Sequence, residues 1–414
     1  MDQAAFFSRH GSRYPDVGAY NEWSNLSSRI AAANFTTNSP HLDFLSTWTP
    51  VLKYPDQQIA QLSTTGYKEL YDMGATYRHR YDDLYTYNSP FVMWSNYYKS
   101  SPRVRDSARL FSHGFLGPNA TDLGSIYALN SSAPESFMNS LAPSDLCPAY
   151  VDNGGSPQID TWADTYLPPI QRRLNSLING SFQFTQSDIS IIPYLCGFET
   201  QITGHRSPWC DVFTESETLQ YEYAQDIRYW YGNGPGSQVG ADMMLPFLSD
   251  LVLRFIDGPN ATYQTSKNAT FKPNRLIAAF TNDGQVNQLV SGSGIFDSEP
   301  ALPSTFIPAN RTYKASNFVT MRSTISFERL NCGSAGLFMR LKLNDQVYPV
   351  ARCQNGPGRS CALADYQRLV EGKIAAIGSF AELCGVSNVS AGSGGGRTSF
   401  LQDRDLPFVY SVAP

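Results

Sequence analysis

Near the start of the chain, Phe6-Phe7-Ser8-Arg9-His10-Gly11-Ser12-Arg13-Tyr14-Pro15 carries an apolar run directly into a glycine-containing turn. The run reads as a short buried strand, and the turn displays one histidine flanked by two arginines. A neutral imidazole is a competent nucleophile, and guanidinium forks on either side can hold the oxygens of a phosphoryl group while a ring nitrogen attacks phosphorus. The competing reading of this stretch alone is a surface turn with a basic cluster, so the rest of the chain has to decide.

With 414 residues, the chain is too long for one ordinary core and reads as two domains, or as one large domain with an insertion. The net charge of −5 and the absence of basic tracts argue against a nucleic-acid partner. No apolar run approaches the roughly 18 residues of a membrane span. Sequons begin at Asn25, Asn34, Asn119, Asn130, Asn179, Asn260, Asn268, Asn310 and Asn388, a density that suits a secreted protein carrying N-linked glycans. The seven cysteines show no CxxC spacing, which favours disulfides over a zinc site and leaves many pairings open. Because the chain enters a strand straight after Met1-Asp2-Gln3 and its cysteine count is odd, it reads as a mature or shortened form lacking an N-terminal segment.

Local patterns outline an α/β chain. Tyr20 to Tyr54 reads as loop with one short helix; Ser63 caps a helix that runs through Leu70, Met73 and Tyr77 to about Tyr81. Phe91 to Trp94 reads as a buried strand, followed by polar and basic residues at the start of a helix, where backbone N–H groups favour an anion. From about Pro118 helical patterns take over, at Trp162–Leu177, Glu215–Trp230 and Gly240–Phe255. Strands resume at Arg275–Phe280, Phe318–Phe327 and Leu337–Val350, the last turning at Asn344-Asp345, and Cys361–Ala375 reads as a closing helix. Ser390 to Gly396 reads as a flexible linker or exposed loop. The expectation is an α/β domain made of 1–117 and 261–414, with a mainly α-helical domain, 118–260, inserted.

Arg9-His10-Gly11-x-Arg13-x-Pro15 resembles the signature of the histidine acid phosphatases, the family that includes fungal phytases and yeast secreted acid phosphatases. Ser101-x-Arg103-Val104-x-x-Ser107-Ala108-x-x-Phe111 is similar to its second segment, and the helix at Gly66-x-x-Glu69-Leu70 to a further one. The stretch Cys196-Gly197-Phe198-Glu199-Thr200 through Thr214 resembles the fungal and yeast branch. The resemblance covers nearly the whole chain and implies a histidine-phosphatase-like α/β sandwich with a smaller inserted helical domain. It implies His10 as nucleophile, Asp283 as the acid that protonates the leaving oxygen, and Arg9, Arg13 and Arg103 as phosphate ligands; Arg105 and Arg109 match no family position and read as solvated helix charges. Where the family has His-Asp, this chain has Asn282-Asp283. Asn282 can still donate a hydrogen bond but cannot titrate, so it is either a tolerated replacement or the mark of a site weakened by divergence or design.

The same resemblance implies pairing of Cys147 with Cys384, Cys196 with Cys210 and Cys353 with Cys361, with Cys332 left over and its partner upstream of Met1. It further implies a phosphohistidine intermediate, an acidic optimum, no metal or cofactor, a small phosphomonoester substrate, location outside the cell or in the cell wall, and a possible homo-oligomer. The stretch from Asp16 to Asn25 has no lysine or arginine, which resembles the broad-specificity enzymes more than the lysine-lined phytases. A phosphate-ester binding protein whose catalysis lapsed at Asn282 is the alternative. Glu199, within the insertion, is a candidate for biasing substrate choice. His41, His79, His113 and His205 lack ligand-spaced partners and read as structural or surface residues, and Gly292-Ser293-Gly294 is not spaced as a nucleophile elbow.

Overall fold

The computed structural model describes residues 1–97, 102–386 and 398–414; the expected linker at Ser390–Gly396 and the sequon at Asn388 lie outside them. The framework is a nine-stranded mixed sheet. Its main strands are β1 (Gln3–Arg9), β2 (Phe91–Asn96), β3 (Gly124–Leu129), β4 (Leu276–Thr281), β5 (Thr324–Asn331), β6 (Leu337–Leu343), β7 (Gln346–Val347) and β8 (Val409–Val412). Across the sheet the order is β7-β6-β5-β1-β4-β2-β3-β8. The inner strands β1, β4, β2 and β3 are parallel to one another, while β5 and β8 run antiparallel to their neighbours β1 and β3.

Every residue of β1 is buried, as a strand covered on both faces must be. Its side chains alternate between two cores. Phe6 meets Tyr77, Phe111 and Phe280 on one face, with ring centroids 4.8, 5.1 and 5.9 Å away. Phe7 meets Phe247 on the other, at 4.9 Å. The first face is covered by α2 (Thr64–Arg80) and α3 (Arg103–Leu116), the second by elements that include α7 (Leu245–Asp257).

Most expected elements form. Ser63 caps α2 by accepting from the Gly66 N–H, and the 337–350 hairpin turns at Asn344 and Asp345, both at positive φ. The closing helix α9 spans Leu363–Ile377. Two readings of local structure are corrected. Tyr20–Tyr54 is not mostly loop: α1 (Val17–Ala32), capped by Asp16, buries Trp23, Leu26 and Ile30 at helical spacing. The strand expected at Phe318–Phe327 begins only at Thr324, and Ala315–Asn317 is a 3₁₀ turn. Helix α5 (Gln186–Thr203), not named among the sequence patterns, has Pro193 in its interior and a capping box formed by Thr185 and Asp188. The sheet also takes β3 from inside the stretch read as insertion, because pairing with β2 on one side and β8 on the other satisfies both its edges.

The helices α4 (Gln158–Asn175), α5 and α6 (Glu215–Asn233) follow β3, and the small ladder between 35–37 and 178–180 joins the segment after α1 to them. In contrast α7, read as part of the insertion, packs on the sheet through Phe247. Disulfides join Cys147–Cys384, Cys196–Cys210 and Cys353–Cys361, the pairs the resemblance implied, and Cys332 is an exposed free thiol. No described helix is long and apolar enough to cross a membrane.

The turn after β1 lies directly on α2. A Cβ at Gly66 would stand 2.0 Å from the Ser12 carbonyl oxygen, and one at Gly11 would stand 2.9 Å from the Gly66 oxygen. Gly66→Ala must therefore push two backbones apart. The expected outcome is a loss of about 1–3 kcal/mol in urea unfolding, as for other overpacked sites, with a fall in any activity that depends on the 10–13 turn.

Candidate active site

Parallel strands deliver their carboxyl ends to one edge, where loops gather around a ligand. Arg9 on β1 is in register with Thr281 on β4, and Ser95 on β2 with Phe280. As a result His10 follows β1 at the same edge where Asn282 and Asp283 follow β4. Arg103 opens α3, the helix after β2.

His10 is 2% exposed. Its backbone N–H donates to the Thr281 carbonyl (3.1 Å), and its own carbonyl accepts from the Arg322 N–H (2.9 Å). The ring Nδ1 lies 2.8 Å from the Gly11 carbonyl oxygen. A carbonyl can only accept, so Nδ1 carries the proton and Nε2 keeps its lone pair. Burial, then the guanidinium charges of Arg9 and Arg103, push the imidazole well below its usual titration range, against a smaller opposing effect of the Gly11 hydrogen bond. The ring is thus held neutral in acid.

The turn is pinned from two helices. Ser12 donates through its N–H (2.8 Å) and its hydroxyl (2.9 Å) to the Glu69 carboxylate on α2. Gly11 N–H donates to Ser107 Oγ (3.1 Å), and that hydroxyl donates to the Arg103 carbonyl (2.7 Å), tying the histidine turn to the first turn of α3. Glu69 sat in a motif that read only as a helix likeness; its carboxylate is what fixes the turn.

The arginines are held at their stems and sides. One Arg9 terminal nitrogen donates to the Val319 carbonyl (2.6 Å), and the other pairs with Asp283 Oδ2 (3.0 Å). Arg13 donates to the Tyr14 carbonyl (2.9 Å) and pairs with Asp16 (3.2 Å), with its guanidinium 5.8 Å from the centre of the Phe198 ring. Phe198 belongs to α5, so the helical region borders the cradle.

Asp283 accepts from the Tyr229 hydroxyl (2.8 Å) on Oδ2 and from the Gly284 N–H (3.0 Å) on Oδ1. Burial alone would raise its pKa, but the charges of Arg9 and Arg228 and the Tyr229 hydrogen bond together hold it well below the usual carboxylate range. With these neighbours the Asp283 carboxyl is ionised. Asn282 is half-buried at the start of α8 (Asp283–Gly292); its side chain makes no capping bond, and Oδ1 is buried without a hydrogen-bond partner. Such an amide is free to turn its N–H₂ toward an anion.

Tyr229 and Arg228 were not found from sequence, because Tyr229-Trp230-Tyr231 on α6 reads as helix-packing aromatic residues. Glu199 does not overhang the site. It is 3% exposed and accepts from Trp48 Nε1 (2.7 Å) and Ser207 Oγ (2.6 Å), bracing two loops instead. Ser293 is fully buried and donates to the Val290 carbonyl (2.6 Å). Of the other histidines, His41, His79 and His205 are exposed and His113 is half-buried on α3. Among the described residues no group of His, Cys, Asp and Glu is arranged to hold a metal ion.

A buried neutral imidazole, a row of guanidinium groups and an adjacent carboxyl make a site for an anionic group with a nucleophile beside it. The family model for the histidine phosphatase superfamily, branch 2, matches residues 1–344, and the chain belongs to that family. It is 29% identical to acid phosphatase PHO1 of Komagataella pastoris over 394 residues, covering 93% of this chain and 80% of that one. It is 30% identical to phytase A of Emericella nidulans over 379 residues, 87% of this chain and 79% of that one. The crystal structure of the phytase from D. castellii superposes with a TM-score of 0.82 at 26% identity, covering 94% of this chain and 83% of that one.

An anion that takes Arg9 away from Asp283, and places its own charge beside it, raises the carboxyl's pKa. Binding of inorganic phosphate at about pH 5 is therefore expected to draw a proton onto Asp283. Calorimetry in buffers of differing ionisation enthalpy should show greater proton uptake by the parent than by Asp283→Asn; equal uptake in both would contradict this.

Proposed function

We propose that this chain is an acid phosphatase that hydrolyses phosphomonoesters, phytate and simpler esters alike, through a phosphohistidine on His10. The observation that carries the reading is the state of His10: Nδ1 is spent on the Gly11 carbonyl, Nε2 is unprotonated, and arginine charge surrounds it. Arg9, Arg13 and Arg103, with the Asn282 amide, hold the phosphoryl oxygens. His10 Nε2 attacks phosphorus in line, and the P–O bond to the alcohol breaks as Asp283 gives that oxygen its proton. Asp283, again a carboxylate, then takes a proton from water as the water oxygen attacks the phosphohistidine; phosphate leaves and His10 is restored.

The free-state ion pair fits this cycle. Phosphate competes with Asp283 for Arg9, so the carboxyl gains its proton only when substrate is present. Activity is then high in acid and falls as pH rises through the substrate-loaded pKa of Asp283. The relatives that are named phytases and acid phosphatases support the substrate range. The breadth is supported by the start of α1, which borders Arg13 and offers no added cation between Asp16 and Asn25 for a polyanion. Three disulfides support a place outside the cell or in the cell wall. Sequon asparagines 25, 34, 119, 179, 260, 268 and 310 are exposed, which supports N-linked glycans. Assembly into a homo-oligomer stays part of the proposal.

The test is phosphate release from p-nitrophenyl phosphate and from phytate between pH 2 and 8. The parent is expected to be active with an acidic optimum, His10→Ala to be inactive, and Asn282→His to gain on the order of 10²-fold in kcat/KM by restoring a charged donor. An inactive parent revived by Asn282→His would identify a lapsed site, and activity surviving in His10→Ala would remove the nucleophile assignment.

A further inference from the structure

We infer that Tyr229, supplied by the helical region, is the positioning residue that holds and tunes the Asp283 carboxyl through the catalytic cycle. The inference rests on the proposed role of Asp283 as proton donor. Tyr229 O–H donates to the same oxygen, Oδ2, that faces Arg9. Once a phosphoryl group occupies Arg9, the ion pair is lost and two contacts on the carboxyl persist: Gly284 N–H on Oδ1 and Tyr229 O–H on Oδ2. An Oδ2 that bears a proton still has a lone pair for Tyr229. The carboxylic acid is then fixed at both oxygens with its own O–H aimed away from Tyr229, and after transfer the same tyrosine stabilises the carboxylate.

Tyr229 is itself held in place. The ring is 9% exposed, and the guanidinium of Arg228 sits 4.7 Å from its centre. Its carbonyl accepts from Asn287 Nδ2 (2.9 Å), and Asn287 is locked by Asn233 Oδ1 (2.7 Å) and the Tyr313 hydroxyl (2.8 Å). Asn287 lies one turn along α8 from Asp283, so the helix that carries the acid also grips the residue that orients it. Burial first, then the Asp283 charge, pushes the phenol up to about 12, so it stays a donor throughout the working range. The other charged or titratable groups that act on Asp283 are Arg9, His10 and Arg13 at the β1 end, Arg228 on α6, and Tyr150 before α4. None of these others is shown donating to the carboxyl except Arg9, which the substrate claims.

Tyr229→Phe keeps the ring and removes only the donor. A proton donor matters most for a poor leaving group, so glycerol phosphate, an alkyl ester, is compared with p-nitrophenyl phosphate, whose phenolate leaves unaided. The expected result is a kcat about tenfold lower on glycerol phosphate, the loss of a hydrogen bond to a charged group. On p-nitrophenyl phosphate the loss should be no more than about twofold, and inorganic phosphate, whose binding draws a proton onto Asp283, should inhibit no more weakly than it does the parent. Because the lost bond favoured the carboxylate, the descending limb of the pH profile should move to higher pH. Equal losses on both esters with an unmoved pH profile would overturn the inference and leave Tyr229 a packing residue. Asp283→Asn, measured alongside, separates the two readings: if it spares glycerol phosphate turnover, the proton-donor assignment itself has failed.

Discussion

The site depends on the parallel pairing of β1 with β4. That ladder sets Arg9 beside Thr281 and lets the His10 N–H bond the Thr281 carbonyl, so residues more than 270 positions apart meet at one strand edge. Backbone hydrogen bonds specify this register tightly because both faces of β1 are packed; a slip by one residue would exchange Phe6 and Phe7 between two different cores. The chemistry inherits that precision. The in-line attack proposed for His10 tolerates little displacement, and the residue is anchored through its backbone on both sides.

Around that anchor the electrostatics are arranged so that substrate completes them. Free, the site balances its cations with Asp283 and Asp16, which pair with Arg9 and Arg13. In the proposed cycle a phosphoryl dianion takes those guanidinium groups from the two carboxylates, and Asp283 is left to take up a proton. Burial favours the uncharged form of both His10 and Asp283; the arginine charges reinforce it at His10 and outweigh it at Asp283. The helical region takes part in this. Phe198 lies against Arg13 and Tyr229 against Asp283, so two helices outside the sheet touch the two ends of the cradle.

Much of this was legible in the chain. Arg9-His10-Gly11-x-Arg13 is contiguous, so a single turn suffices to present it, and Arg103 and Asp283 each follow an apolar strand that announces itself by composition. The helix at Ser63 and the turn at Asn344-Asp345 depend on local capping and local φ preferences, which neighbouring residues dictate. Other features were illegible for equally physical reasons. Tyr229 looks like any aromatic residue of a packed helix until α6 is laid against α8. Strand β3 lies in a stretch whose neighbours are helical, and only its partners on either side make it a strand of the sheet. Glu199 had the charge expected of a pocket residue, yet Trp48 and Ser207, distant in sequence, enclose it.

The sequence by itself determined which groups are present: a histidine between arginines, a third arginine at a helix start, an Asn-Asp pair after a strand, and cysteines spaced for disulfides. It determined these because each is a matter of residue type and short-range spacing. Only the tertiary structure decided their states. Whether an imidazole is neutral or a carboxyl ionised follows from burial and from charges a few ångströms away, and those distances exist only once β1, β4 and α6 have converged on one edge of the sheet.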